Sequence, residues 1–282
     1  MKRKTACFSH VLLHDIRYSI LISWKKYLAL FLVTEAIIGA LMVRIQSDCQ
    51  LGMVLPPLTA GDVLTYLLSG AKIFRYGAGI PFEIPYIWIF IYLMIAFIVG
   101  ENHANLMTSR YMELLLSQEK HRWWASKCIV TVLDVLLAYV TIFAAVGISL
   151  FWGIKPVLKI SPDIMKALIW KAFTLKPNQW TVIFVLLPIL TSVCISLLQT
   201  VSILFFKPMI CFTGVITLLV VSLFYCNPAV IGNGTLPLRN TILPFEGTIR
   251  TLDAALADAV LIVASIIIGN IKIKKVDLLS EA

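Results

Sequence analysis

Three acidic side chains, Glu35, Asp134 and Asp258, fall inside long apolar runs, where a carboxylate could bind a cation or exchange a proton. An acid at the centre of a membrane helix costs about 2.5–3.5 kcal/mol, so each must face protein or water rather than lipid. Glu35 lies near the middle of its run. Asp134 lies about two turns from the inner end of its run, and Asp258 about one turn from the outer end of its own. Each also has a plainer reading as a hydrogen bond between helices, and Asp258 could join Arg250 and Asp253 in a surface network.

Other site chemistries find little support. There is no GxxxxGK[ST] phosphate loop, no HExxH pair and no GxSxG elbow. His10 and His14 share a helical face without a third ligand, which reads as an interfacial helix rather than a metal site. The six cysteines have no CxxC spacing; Cys49 and Cys226 both fall near the expected outer face, where a disulfide could join them. Nothing in the spacing pairs two catalytic groups, so no enzyme activity and no bound cofactor or metal is expected of this chain.

The most distinctive polar block is Arg110–Lys127 (RYMELLLSQEKHRWWASK). Met112, Leu114, Leu115 and Leu116 form an apolar cluster among Tyr111, Glu113, Gln118, Lys120 and His121, and Trp123-Trp124 follow. Apolar side chains beside charge, with tryptophans at headgroup depth, describe a short amphipathic element at a membrane interface.

The elements that carry these residues are set by composition. The chain of 282 residues is 60% hydrophobic, with a mean hydropathy of +0.91. That excludes an ordinary soluble domain and implies an all-α polytopic membrane protein, since a span needs roughly 20 apolar residues. Six spans are expected, at about Lys26–Val43, Phe82–Gly100, Cys128–Trp152, Thr181–Phe206, Met209–Cys226 and Ala254–Ile271. Pro208 separates the fourth from the fifth, and Pro188 should kink or loosen the fourth. With both termini inside, 14 of the 24 basic residues lie on the inner side, in moderate agreement with the positive-inside rule.

Three segments then face outward: Arg44–Pro81, Gly153–Gln179 with five lysines and one acid, and Asn227–Asp253. Part of the second shows helical spacing and could lie along the membrane surface. The small residues Ala144, Ala145 and Gly147, and Ala255 with Ala259, could let helices approach closely. The net charge of +9 points to anionic lipid headgroups, with no soluble domain to carry a nucleic-acid face.

In layout, and in Arg110-Tyr111-Met112-Glu113-Leu114-Leu115-Leu116-Ser117 followed by Arg122-Trp123-Trp124-Ala125-Ser126-Lys127, the chain resembles the ABC-2 type permease family. It lacks the family's usual glycine in the charged lead and proline after the leucines. The resemblance implies one transmembrane permease domain over 1–282, with an N-terminal interface helix at 8–25, a cytoplasmic coupling helix within 110–127 and an external helical segment at 227–253. It implies that Glu113, Leu114, Leu115, Leu116 and Arg122 dock on an ABC ATPase subunit. ATP and magnesium would be bound by that partner. A second permease subunit, identical or related, would complete an exporter in the bacterial cytoplasmic membrane, moving a peptide or lipid-like molecule. Two rivals remain from the residues themselves: an ion-coupled secondary transporter using Glu35 and Asp134, and a non-transporting scaffold or immunity-type membrane protein.

Overall fold

The computed structural model describes residues 8–74, 84–108, 120–169, 172–243 and 247–275. Among them there is no β-strand, and isolated bridges join Thr59 to Lys155 and Asn240 to Ile249. The helices are α1 (Phe8–Gln50), α2 (Ala60–Leu68), α3 (Tyr86–Thr108), α4 (Lys120–Ser149), α5 (Pro162–Ile169), α6 (Pro177–Thr181), α7 (Leu187–Ile203), α8 (Pro208–Phe224) and α9 (Thr251–Lys275).

Each expected span falls largely on one of these helices. Four stretches are long and apolar enough to cross a membrane: Leu12–Gln50, Lys120–Trp152, Pro177–Ile203 and Thr251–Lys274. The apolar parts of the other two, Tyr86–Asn102 and Pro208–Phe224, are shorter. At about 1.5 Å per residue each rises roughly 25 Å, close to the hydrocarbon thickness. Proline acts where expected. Pro188 has no N–H to give, and the turn before it widens to a π-helix over Val182–Leu186, with the Leu187 amide reaching back to the Val182 carbonyl. Pro208 opens α8 after a break at Leu204–Lys207.

The N-terminus differs from expectation. Residues 8–25 do not form a helix of their own; they are the first part of a 43-residue helix that runs unbroken to Gln50. The reason is local: 8–50 contains no proline and one glycine, Gly39, so nothing stops the backbone ladder. The external segment differs too. Over 227–243 the chain makes short 3-10 turns, Asn233–Thr235 and Pro237–Arg239, rather than helices, because glycine and proline recur too closely for an α-helical run.

The six long helices alternate in direction. Tyr92 meets Tyr139 and Asn102 meets Asp134, so α3 and α4 are antiparallel. Asp15 meets Lys127 and Tyr27 meets Asp134, so α1 and α4 are parallel. Thr131 lies against Thr200 and Tyr139 against Ser192, setting α7 antiparallel to α4. Phe97 packs on Phe212 while Tyr92 and Leu219 share a cavity wall, setting α8 antiparallel to α3. Trp124 reaches Ile266 near the end of α9, which therefore opposes α4.

The three segments expected outside meet at one end of this bundle. Thr59 caps α2, and Asp62 answers it, its carboxylate accepting from the Thr59 amide (3.1 Å) and hydroxyl (2.8 Å) and from the Ser161 amide (2.7 Å). The amides of Ala60 and Gly61 donate to the carbonyls of Lys155 and Val157, so the strap 155–159 closes the helix N-terminus. A β-carbon on Gly61 would lie 2.6 Å from the Lys159 carbonyl oxygen, which requires glycine there. Trp180 donates to Thr65 (2.9 Å), and the Leu238 amide to the Ser69 carbonyl.

Candidate functional site

Glu113, Leu114, Leu115 and Leu116 lie outside the described residues. The structure does describe the base on which their segment stands. Arg122 is exposed in the first turn of α4, while Trp123, Trp124, Ser126 and Lys127 turn inward. Lys127 Nζ lies 2.8 Å from Asp15 Oδ2, with the side chains 2% and 0% exposed, and the Ser126 hydroxyl donates to the same oxygen at 2.6 Å. The ammonium also sits 5.3 Å from the Trp123 ring centre. On the other flank Trp124 Nε1 donates to the Ile266 carbonyl (2.9 Å) and the indole fills the space over Gly269, where any side chain would collide. His121 Nδ1 pairs with Asn270 Oδ1.

A second polar layer lies about two turns deeper. Asp134 Oδ1 accepts from Ser19 (2.5 Å) and Tyr27 (3.1 Å), and Oδ2 accepts from Asn102 Nδ2 (3.0 Å). Asn102 also donates to Ser19 (2.8 Å) and accepts from Ser23. Lys26 pairs with Glu101 at 2.8 Å nearer the surface. Asp15, Ser19, Ser23 and Tyr27 recur every four residues, so one stripe of α1 carries the whole set toward α3 and α4. Both oxygens of the Asp134 carboxylate accept hydrogen bonds, from three donors in all, and no group of three His, Cys, Asp or Glu that could hold a metal occurs among the described residues. Chemically the arrangement is a clamp. It fixes the height and rotation of α1, α3 and α4 at the foot of the charged segment.

Glu35 and Asp258 belong to neither layer. Glu35 is 9% exposed and faces protein, yet both its carboxylate oxygens lack a hydrogen-bond partner, and no bond joins it to Asp134. Asp258 is not in a surface network: it is 4% exposed and accepts from Thr191 at 2.5 Å, with the Cys194 thiol also bonded to it. Arg250 and Asp253 stay exposed beside it. Between α3, α7 and α8 a cavity of about 10 Å³, room for one water molecule, is lined by Tyr92, Ser192 and Ser196 among apolar neighbours. Among the small residues, Ala144, Gly147 and Ala259 are exposed rather than packed inside the chain.

At the end of the bundle where α2 lies, Arg239 is wholly buried, with no carboxylate partner among the described residues. Its guanidinium donates to the carbonyls of Ser222 and Leu223 (2.5 Å for Leu223) and to Asn233 Oδ1 (2.9 Å), closing the C-terminus of α8. Burial lowers its pKa to about 10, so it remains charged at neutral pH. Cys49 and Cys226 are free thiols, and no disulfide joins them.

Sequence reasoning singled out Asp134 but missed its partners, and missed Asp15 and Arg239 altogether. The four-residue repeat of polar positions on α1 was a legible signal. Comparisons of this chain with protein-family models, with curated proteins and with solved structures find no match in any of the three.

Proposed function

We propose that this chain is the membrane subunit of an ATP-driven exporter of the ABC-2 type, acting with separate ATPase subunits and a second permease subunit. The observation that carries the reading is the amphipathic charged segment 110–127, which follows α3 and runs into α4, whose root is locked to α1 and α9 by buried polar bonds. A push on that segment would reach three helices together, because Lys127–Asp15 and Trp124–Ile266 leave α4 little freedom to move alone. Glu113 and Arg122 would pair with charges of the ATPase, and Leu114, Leu115 and Leu116 would fill a pocket in it. ATP and magnesium belong to the partner, where hydrolysis takes place.

The direction of the helices supports six crossings. If α1 and α4 both span, their parallel packing requires the chain to return between them, and α3 is the apolar helix available. The same holds for α8 between the parallel α7 and α9. That leaves both termini and segment 110–127 on one side, the cytoplasmic face of a bacterial membrane. The three hydrogen bonds that Asp134 accepts from α1 and α3 favour clamping over an ion-coupled site.

Replacing Glu113 and Leu115 together by alanine should abolish stimulation of the partner's ATP turnover while insertion and expression persist. Copurification from native membranes of a protein with ATPase activity tests the partner directly. Unchanged coupled activity in the double variant would sink the assignment.

A further inference from the structure

The outer end carries unpaired positive charge, on the side where few lysines are usual. After α4, Phe151 and Trp152 stand 88% and 50% exposed, and the chain reverses at Gly153 with φ of +97°. The strap 155–159 then crosses the N-terminus of α2 with its backbone committed: the carbonyls of Lys155, Val157 and Lys159 accept from Ala60, Gly61 and the Thr59 hydroxyl. Its side chains are left outside, so Lys155 and Lys159 are exposed alongside Val157 and Leu158. Helix α5 buries Ile164, Met165 and Leu168 and leaves Lys166 exposed, and Lys176 is exposed just before α6. None of these four lysine side chains has an ion-pair or hydrogen-bond partner among the described residues. Asp163 is the single acid in 153–179.

We propose that this face binds the anionic headgroups of phospholipids in the outer leaflet. Charge complementarity asks for an anion, and the interleaved apolar side chains choose a lipid surface over a soluble acidic polymer. Phe151, Trp152, Val157 and Leu158 would enter the headgroup boundary, with the lysines reaching the phosphates above them. The strap is held rigid by α2, so the lysines are presented at fixed positions. All four side chains are exposed and the strap's bonds to α2 are made by its backbone carbonyls, so removing the charge should leave the fold in place. The inference rests on the outer placement of this end and not on coupling to an ATPase.

The test is retention of lipid by the purified full chain, extracted from bilayers of equal phosphatidylglycerol and phosphatidylcholine and weighed intact by native mass spectrometry. Wild type should keep phosphatidylglycerol in preference. The variant Lys155→Gln/Lys159→Gln/Lys166→Gln/Lys176→Gln should lose that preference by about tenfold or more. The matching four-fold Lys→Arg variant should retain it, and the two pairs, 155 with 159 and 166 with 176, should each lose part. Thermal midpoints in neutral detergent should agree for all. Preference undiminished by the four glutamines overturns the proposal. So does its loss in the arginine variant, or its displacement by soluble polyglutamate, which would assign the face to an acidic polypeptide.

Discussion

The ion pair between Lys127 and Asp15 is the residue-scale commitment with the clearest energetic consequence. Two charges almost fully withdrawn from solvent face each other, with Ser126 bonded to the same Asp15 oxygen, so removing one takes the buried counter-charge from the other. Lys127→Met should therefore destabilise the protein by about 3–5 kcal/mol. Adding Asp15→Leu should recover much of that loss, since replacing both charges by apolar groups removes the stranded one. Denaturation in detergent across the four members of the cycle gives the coupling energy. A coupling near zero would mean the pair holds nothing together. Arg239 is the counterpart at the opposite end of the bundle. Arg239→Ala leaves the carbonyls of Ser222 and Leu223 and the side chain of Asn233 without donors, at about 1–3 kcal/mol for each unmet group. A lower thermal midpoint, with α8 fraying first in hydrogen exchange, is the expected result.

At the scale of elements, the outer strap and the loop root are positioned by glycines that tolerate no side chain. Gly61 sits under the backbone of Lys159, so Gly61→Val must push the strap off α2 and break the amide bonds from Ala60 and Gly61. Limited proteolysis should then cut within 153–161, a segment expected to resist in the wild type. The α9 glycine Gly269 plays the matching part for Trp124 at the root of α4. Gly269→Leu should displace the indole and free the root of α4 from α9. If the chain is coupled to an ATPase as proposed, ATP turnover of the reconstituted complex should persist while its coupling to transport falls. A fully coupled Gly269→Leu variant would show that α9 takes no part in transmission.

At the scale of the whole molecule, topology follows from packing direction. If α1, α4, α7 and α9 all cross, as proposed, the parallel packing of α1 with α4 and of α7 with α9 needs a return crossing within each pair. A cysteine at position 166 should react with a membrane-impermeant maleimide added outside intact cells, and one at 122 only after permeabilisation. Equal access at both from outside would break the six-crossing arrangement. The native thiols Cys128, Cys194 and Cys211 are buried and would react little, which leaves Cys7, Cys49 and Cys226 to be removed as background.

What the sequence alone determined is local. Apolar length located a helix at each of the six expected spans, though not every boundary, and the prolines at 188 and 208 placed the widened turn and the break, because hydropathy and a missing amide act on their own segment. Local signals misled where they were silent or too dense. No breaker separates residues 8–25 from the first span, so one helix replaced two, and the crowded glycines and prolines of 227–243 yielded turns in place of the expected helices. The tertiary structure alone decided who partners the buried polar groups. Asp15 and Lys127 are 112 residues apart, Ser19 and Asp134 are 115 apart, and the strap and α2 about a hundred. Such pairs carry no local signature, since desolvation makes a partner obligatory but only packing selects which one. The acids Glu35, Asp134 and Asp258 were equally conspicuous in the sequence, and the fold separated them: one clamped by three helices, one bonded to α7, and one left without a partner.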